Sequence, residues 1–239
     1  MLDILHHDNH SISVNKPAGM LVHRSWLSGG ETRFVMQTLR DQIGQHVYPV
    51  HRLDRPTSGA LLFALSPEAA RALTEQFEQK SVKKTYWAVV RGHLPENGRI
   101  NYTLKYQPDP IAESRTEATL QDAITDYRCL AQTELPFQSA KRYATSRYSW
   151  AELTPHTGRK HQLRRHMKHI FHPIVGDTSH GDLRQNHAVA EHLGTHRLML
   201  HARELSFQSL ENGETLNINA PVDEEWAVWL GQFGEAHMV

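Results

Sequence analysis

The chain has almost no cysteine and no long apolar stretch. Cys129 is the single cysteine among 239 residues, which excludes an internal disulfide and a zinc site built from several cysteines. We interpret Cys129 as a small residue half-buried in a strand. No apolar run approaches the roughly 18 to 20 residues of a membrane helix, and the first residues lack the basic and then apolar layout of a signal peptide. We therefore expect a cytoplasmic protein that does not associate with membranes.

Net charge is also lacking, but the charges are unevenly distributed. Twenty-six Lys and Arg residues balance 26 Asp and Glu residues. Between Lys141 and Lys168, however, eight basic residues and one acid give a net charge of +7, whereas seven acids and no Lys or Arg follow Arg203. A basic segment is typical of nucleic-acid binding, because phosphate contacts are largely electrostatic. The alternative is a solvated basic face without a partner.

The spacing of apolar residues predicts many strands and a few helices that do not alternate regularly with them. This pattern favours an α+β fold over a doubly wound parallel sheet. Ser66 as N-cap and Pro67 at the first helical position mark one helix start, and acids at 223–225 mark another. The expected strands are 11–15, 59–65, 84–90, 122–130 and 148–154, and the expected helices are 32–43, 66–77, 223–233 and one after Gly158.

Histidine is abundant, with 18 residues in the chain. Four of them fall within twelve residues, and two of these, His166 and His169, would share one face of a helix. A metal site needs three or four converging ligands, and the His-Glu-x-x-His spacing of zinc enzymes is absent. We therefore predict no metal site and interpret these histidines as a polar helix face close to phosphates.

One acid lies between two arginines in a turn. Asp54 belongs to the nine residues His51–Gly59, HRLDRPTSG, directly before an apolar strand. Pro56 in this segment favours a turn, and the flanking arginines favour the ionised form of the carboxylate, which could then act as nucleophile or base. The alternative is a structural ion pair within the turn.

Six segments that span nearly the whole chain are similar to the motifs of one enzyme family and follow one another in the order of that family. HRLDRPTSG resembles the catalytic motif of the ribosomal large subunit pseudouridine synthase A family. A match at this many specified positions is highly specific. The other segments that resemble motifs of this family are NKPAG at 15–19, KTY at 84–86, AITDY at 123–127, GRKHQLR at 158–164 and LHA at 200–202.

The resemblance implies a fold and an organisation. The expected fold is a central mixed, mainly antiparallel sheet flanked by helices and loops, with the catalytic cleft across the sheet. The chain would form one catalytic domain over residues 1–239, without the N-terminal S4-like RNA-binding module of several relatives. We expect a monomer that needs no cofactor, metal or obligate protein partner.

The resemblance also implies an isomerisation of uridine to pseudouridine in RNA, with a role for each of five residues. Asp54 would be the catalytic carboxylate, as covalent nucleophile or as base, and Arg159 would pair with it. Tyr86 would lie against the target base, and Arg52 would fill the space that the extruded uridine leaves. Leu200 would line the cleft under the base, or would be a core residue only.

Three cations at the end of the GRKHQLR segment and just after it are expected to contact phosphates: Arg164, Arg165 and Lys168. Within the family, the segments 36–46 and 158–166 are most similar to a branch that acts on tRNA, at uridine 65 where the T stem meets the acceptor stem. A tRNA substrate is therefore expected. The alternatives are a uridine of 23S ribosomal RNA and a catalytically silent RNA-binding relative.

Overall fold

Helices and mainly antiparallel strands make up the structure, a computed structural model that describes residues 1–23, 32–106 and 119–234. This composition confirms the α+β class. The strands are β1 (Asp3–His7), β2 (Ser11–Lys16), β3 (Tyr48–Pro49), β4 (Ser58–Ala64), β5 (Lys83–Arg91), β6 (Asn97–Asn101), β7 (Leu104–Lys105), β8 (Leu120–Gln121), β9 (Ile124–Leu135), β10 (Ser146–Pro155), β11 (Leu200–Gln208) and β12 (Thr215–Asn219). The helices are α1 (Val35–Ile43), α2 (Pro67–Glu78), α3 (Gln162–His169), α4 (Leu183–Leu193) and α5 (Glu224–Gly231).

The chain divides into two compact units. Unit 1 comprises Met1–Thr85 and His201–Pro221, and unit 2 comprises Tyr86–Leu200 and Val222–Val239. The chain passes from one unit to the other three times: within β5, within β11 and between Pro221 and Val222. That the whole chain forms one catalytic domain stays a prediction.

Unit 1 is built on strands paired in the order β1-β2-β4-β11-β12. The β4–β11 pair is parallel, whereas β1–β2, β2–β4 and β11–β12 are antiparallel. Every residue of β4 is buried, as the apolar run at 59–65 indicates. The strand expected at 11–15 is β2; its alternation of polar and apolar residues indicates one solvent-facing side, but both faces are covered, and Ser11 and Ser13 are only 2% and 0% exposed.

Unit 2 contains antiparallel strands in the order β5-β10-β9-β6, and a separate pair β7–β8. One core cluster forms around Trp226 and Trp229 of α5, both of which are 0% exposed. A second cluster packs α3 against the sheet through Leu163 and Met167. Cys129 is half-buried in β9, as its sequence context predicts.

The sequence signals for two helix starts are confirmed. The Ser66 hydroxyl accepts a hydrogen bond from the backbone N–H of Ala69, and Pro67 is the first residue of α2. Asp223 caps α5 in the same way through Trp226. Helix α4 was not predicted, although Asp182 caps its start and Gly194 ends it at a φ of +68°, because its apolar face is narrow.

Candidate active site

Asp54 lies in unit 1, in the loop that leads from β3 into β4. The loop is anchored by its buried neighbours Leu53 and Thr57, which are 7% and 2% exposed. Between them Asp54 is half-buried, and Arg52 and Arg55 are exposed. The Asp54 carbonyl accepts a hydrogen bond from the Thr57 N–H at 3.0 Å, which closes the predicted turn. The carboxylate is thus carried on a short turn with buried residues on either side.

A buried lysine holds this turn. Lys16, at the end of β2, is 0% exposed, and its Nζ donates to the carbonyls of Pro17, Arg55 and Thr57 at 2.9, 3.0 and 2.7 Å. Gly19 adds a reciprocal pair: its N–H donates to the Arg55 carbonyl, and the Arg55 Nε donates to the Gly19 carbonyl, both at 2.9 Å. The NKPAG and HRLDRPTSG segments therefore form one hydrogen-bonded assembly.

His51 fixes the start of the loop. Its Nε2 accepts a hydrogen bond from the Leu62 N–H of β4 at 3.0 Å, and its ring stacks on Phe77 of α2 with centroids 4.8 Å apart. Desolvation of the ring, together with a smaller effect of the Lys84 charge, lowers the pKa of His51 to about 3. The ring is therefore neutral at physiological pH, as an acceptor nitrogen requires.

The end of the loop is fixed by β11. Ser58 and the Nδ1 of His201 are hydrogen-bonded at 2.9 Å, and the Nε2 of His201 lies 3.2 Å from the Ala220 carbonyl. Because that carbonyl can only accept, the Nε2 carries the proton and the Nδ1 of a neutral ring accepts from Ser58. Gly59 follows at a φ of +113°, where a Cβ would collide with the Ala202 backbone. Only glycine permits this close approach of β4 and β11.

Arg159 lies in unit 2, in the loop between β10 and α3. Its side chain is exposed, and its Nε donates to the Asp122 carbonyl at 3.1 Å. Its backbone N–H donates to the Gln162 side-chain oxygen at 3.0 Å, and its carbonyl accepts from the Gln162 N–H at 3.0 Å. The Arg159 guanidinium therefore lies at the surface, while the N–H and the carbonyl of its backbone are both hydrogen-bonded to Gln162.

Gln162 organises the loop that carries Arg159. Its buried side-chain oxygen also accepts from the Thr157 hydroxyl at 2.7 Å. Its side-chain nitrogen donates to the Ile124 carbonyl and to the Thr125 hydroxyl, both at 3.0 Å. The Gln162 amide thus accepts two hydrogen bonds and donates two, and so ties the GRKHQLR segment to β9.

His166 continues this network and is not part of a polar surface, which corrects the sequence interpretation. It is 0% exposed, with its Nδ1 3.0 Å from the Thr125 hydroxyl and its Nε2 3.0 Å from the Tyr102 carbonyl. The carbonyl requires a proton on Nε2, so Nδ1 accepts from Thr125. Desolvation lowers the pKa of His166, which keeps the ring neutral and its hydrogen bonds in this order. The histidine is a structural element of the loop.

Arg164 is not available to RNA, which corrects the expectation that it contacts phosphate. It is 4% exposed, and its guanidinium binds the carboxylate of Asp177 through two hydrogen bonds of 2.8 Å. Asp177, 1% exposed, also accepts from the backbone N–H groups of Ser179 and His180 at 2.9 Å. Burial opposes ionisation of Asp177, yet the hydrogen bonds and charge of Arg164 outweigh it, so the pKa of Asp177 lies below its ordinary value.

The other two expected phosphate contacts differ from Arg164. Lys168 is exposed on α3. Arg165 is half-buried, and its guanidinium donates to the carbonyls of Lys105 at 3.0 Å and Lys160 at 3.5 Å. Both cations therefore retain access to solvent, and Arg165 is also held in place by its hydrogen bonds.

Tyr86 and Leu200 lie in the same apolar cluster of unit 2. Tyr86 is half-buried on β5, opposite Leu153 of β10, and packs against the cluster. Leu200 is a member of the cluster and is 3% exposed, which favours the core-residue alternative for this side chain. Asp54 belongs to unit 1 and Arg159 to unit 2, so their pairing stays a prediction.

The basic segment is not a continuous cationic stripe. Arg147 pairs with Glu134 at 3.0 Å, and Arg164 pairs with Asp177. The acids near the end of the chain are likewise engaged: Asp223 pairs with Arg197, and Glu225 lies 3.4 Å from the same guanidinium. Counting charge along the sequence missed these partners, because they come from distant positions.

The histidines show no metal-binding arrangement. Throughout 1–23, 32–106 and 119–234, no group of three or more His, Cys, Asp or Glu side chains is placed to hold a metal ion. His161 and His180 are hydrogen-bonded to each other, Nδ1 to Nε2, at 2.9 Å. His169 stacks on Tyr102, with centroids 3.6 Å apart. These histidines pair with protein groups.

Two further residues position the loops and received no role from sequence reasoning. Lys16 and Gln162 both lie inside motif segments, NKPAG and GRKHQLR. In the sequence, each is a polar residue next to a turn within a motif, and this is the only signal of its role. Burial distinguishes a polar residue that holds a loop from one that faces solvent, and burial is known only from the structure.

The model for the family described as RNA pseudouridylate synthase matches residues 10–169, which include both loops. This chain belongs to that family. Among curated proteins, it is 59% identical to tRNA pseudouridine synthase C of Haemophilus influenzae over 98% of each chain. It is 60% identical to tRNA pseudouridine synthase C of Pasteurella multocida over 94% of this chain and 93% of that protein.

Solved structures of the family have the same fold. The human RNA pseudouridylate synthase domain containing 1 matches with a TM-score of 0.72 and 26% identity, over 93% of this chain and 84% of that chain. The human RNA pseudouridylate synthase domain containing 4 matches with a TM-score of 0.70 and 25% identity, over 97% of this chain and 92% of that chain. These comparisons confirm the family resemblance and the fold that it implied. In the described part of the chain, no helix has the length and apolar character needed to cross a membrane.

We predict that Asp177→Asn destabilises the fold by about 3 to 5 kcal/mol at pH 7, because it leaves the buried Arg164 guanidinium without its counter-charge. Since the folded-state pKa of Asp177 is lowered, the stabilisation is present above the unfolded-state value of about 3.9 and is lost as the pH falls further. The difference between variant and wild type should therefore shrink below about pH 4. Urea unfolding across a pH series measures it.

Glu152→Gln is the matched control, because Glu152 pairs with Arg128 at 3.0 Å at the surface, where the Arg128 side chain is 62% exposed. An exposed pair contributes about 0 to 1 kcal/mol. Equal losses of stability in the two variants would contradict the assignment of a structural ion pair to Arg164 and Asp177.

Proposed function

We propose that this chain is a tRNA pseudouridine synthase in which Asp54 is the catalytic carboxylate. Family membership supports RNA as the substrate class, and the curated relatives named tRNA pseudouridine synthase C, similar over almost the whole chain, support tRNA as the substrate and hence the cytoplasm as the site of action. The observation that carries the role of Asp54 is its turn, whose backbone is fixed by hydrogen bonds from Lys16 and Gly19 to the carbonyls that follow Asp54.

The reaction needs little beyond one carboxylate. The N1–C1′ bond of uridine breaks, the base turns, and a C5–C1′ bond forms; C5 then loses its proton and N1 gains one. Atoms and electrons balance within the nucleotide, so no redox partner is consumed. Asp54 acts either by covalent attack on the sugar or base, or by removing a sugar proton, and an ionised carboxylate serves both roles.

The neighbouring motif residues have positioning roles in this proposal. Arg159, exposed on a loop fixed by Gln162, is the cation that pairs with Asp54. Tyr86 offers a half-buried ring for stacking against uracil. A uridine within a stem must leave the helix before it can react, and the exposed Arg52 fills the space that it vacates. Leu200 belongs to the core cluster against which Tyr86 packs.

Arg165 and Lys168 contact phosphates in this proposal, and Arg164 does not. The two cations lie three residues apart on α3, in a stretch from 153 to 176 that contains no Asp or Glu. Phosphate contacts of this kind position the RNA without reading its sequence.

The proposed target is uridine 65 of tRNA, at the junction of the T stem and the acceptor stem. The similarity of the segments 36–46 and 158–166 to the tRNA-modifying branch supports this position. A uridine of 23S ribosomal RNA is the second candidate, because the same catalytic residues would serve it. We further propose that the chain acts as a monomer and needs no metal.

Asp54→Asn is expected to lower the rate of pseudouridine formation by at least about 1,000-fold, because the near-isosteric amide is neither nucleophile nor base. Affinity for tRNA should stay within a few-fold. The C5 proton leaves during the reaction, so release of tritium from tRNA labelled at C5 of uridine measures the rate. EDTA is present throughout, since no metal is required.

Asp3→Asn provides the control, as the same substitution at an exposed carboxylate of unit 1, on β1 and outside every motif segment. Its rate should equal that of the wild type. An Asp54→Asn rate within about tenfold of the wild type would contradict the assignment, and loss of wild-type activity in EDTA that zinc restores would contradict the metal-free mechanism.

Replacing Arg165 and Lys168 together by Gln is expected to lower the slope of log affinity against log salt by about one to two units, since each phosphate contact contributes about 0.7 to 0.9. Titration of labelled tRNA across a salt series measures this slope. Arg71→Gln, an exposed cation on α2 near Glu75 and Glu78, should leave it unchanged. Superimposable curves for the double variant and the wild type would mean that α3 does not face the RNA.

A further inference from the structure

The turn that follows α3 holds an aromatic ring in solvent. Phe171 is 88% exposed, and among the large hydrophobic side chains of the described ranges only that of Met1 is more exposed. Its backbone φ is +65°, in the left-handed region. A bulky residue is rare in this conformation, which glycine adopts at the lowest cost. Neither the turn nor the core therefore explains a phenylalanine at this position.

The turn itself is well held, so the position of the ring is set by the fold. The Phe171 N–H donates to the Lys168 carbonyl at 3.0 Å, and the His172 N–H donates to the Met167 carbonyl at 2.9 Å. The Nδ1 of His172 lies 2.8 Å from the carbonyl of Arg91, which can only accept, so this contact ties the turn to β5. Phe171 is thus displayed from a hydrogen-bonded backbone, and its burial is too small to offset its conformational cost.

The surroundings of the ring are basic and aromatic. Lys168 and His169 are exposed in the helical turn before Phe171, and the His169 ring stacks on Tyr102. The nearest acid along the chain, Asp177, is buried against Arg164. A positive surface with a displayed ring is complementary to a polyanion that carries flat bases, and much less so to a lipid or to an apolar protein segment.

We propose that Phe171 is a stacking residue for the RNA substrate, which binds with a phosphate at Lys168 and an unstacked nucleobase against the Phe171 ring. This inference rests on the proposed function, since it takes RNA as the substrate. Stacking on an aromatic face tolerates every base, so Phe171 strengthens binding without selecting a sequence. Glycine would suit the turn better than phenylalanine. The ring contributes favourable free energy only when a base stacks on it in the complex.

Phe171→Gly separates this role from a structural one, because glycine relieves the backbone conformation and removes the ring. Titration of a labelled tRNA transcript with the full chain should show a Kd raised about fivefold or more. The melting temperature should stay equal or rise. The salt slope should stay unchanged, since stacking releases no counterions, whereas Lys168→Gln should lower it by about 0.7 to 0.9.

Two further variants complete the test. Phe171→Trp keeps a stacking surface and should hold the Kd within about twofold of the wild type. Val228→Ala, which trims a side chain 45% exposed on α5 next to acidic residues, should have no effect. A Phe171→Gly affinity equal to the wild type, or a loss that Trp does not restore, would overturn the inference. Failure of the wild type to bind tRNA would instead contradict the proposed function.

Discussion

The conformation of the Asp54 loop depends on three backbone carbonyls gathered around the buried Nζ of Lys16. Two of these carbonyls, those of Arg55 and Thr57, lie in the turn that carries Asp54, and the third, that of Pro17, lies in the NKPAG segment, so one amine joins two motifs that are about 40 residues apart. A catalytic group is effective only when its supporting residues fix its position. A buried carbonyl that lost its donor would carry the cost of desolvation, so the Lys16 contacts stabilise this conformation of the loop.

Unit 2 uses the same principle with other residues. The buried amide of Gln162 makes four hydrogen bonds and holds the backbone of Arg159, while Asp177 holds Arg164 and two backbone N–H groups. In the GRKHQLR segment, adjacent polar residues therefore divide into those that hold the loop and those that reach solvent. Family membership, the anchored carboxylate and the exposed cations together support an enzyme that positions RNA by charge and acts on it with one acid.

The sequence predicted the fold class, β4, the starts of α2 and α5, and the two motif loops, because these depend on local signals: apolar runs, caps and turn residues. It misassigned Arg164 and His166, since burial depends on partners such as Asp177 and Tyr102 that are 13 and 64 residues away. Their residue types suggest solvent, whereas the hydrogen bonds that allow their burial arise only in the folded chain. For Leu200 the residue type indicates the right environment. This apolar residue lies in a motif, and its burial supports a role in the core.

The positions of pseudouridine in RNA from cells that lack this protein decide whether Asp54 converts one tRNA uridine. Mapping of tRNA and ribosomal RNA should show that pseudouridine is lost at uridine 65 of tRNA, and that it returns with the wild-type chain but not with the Asp54→Asn variant. Unchanged tRNA together with a loss in 23S ribosomal RNA, or restoration by the Asp54→Asn variant, would overturn this assignment.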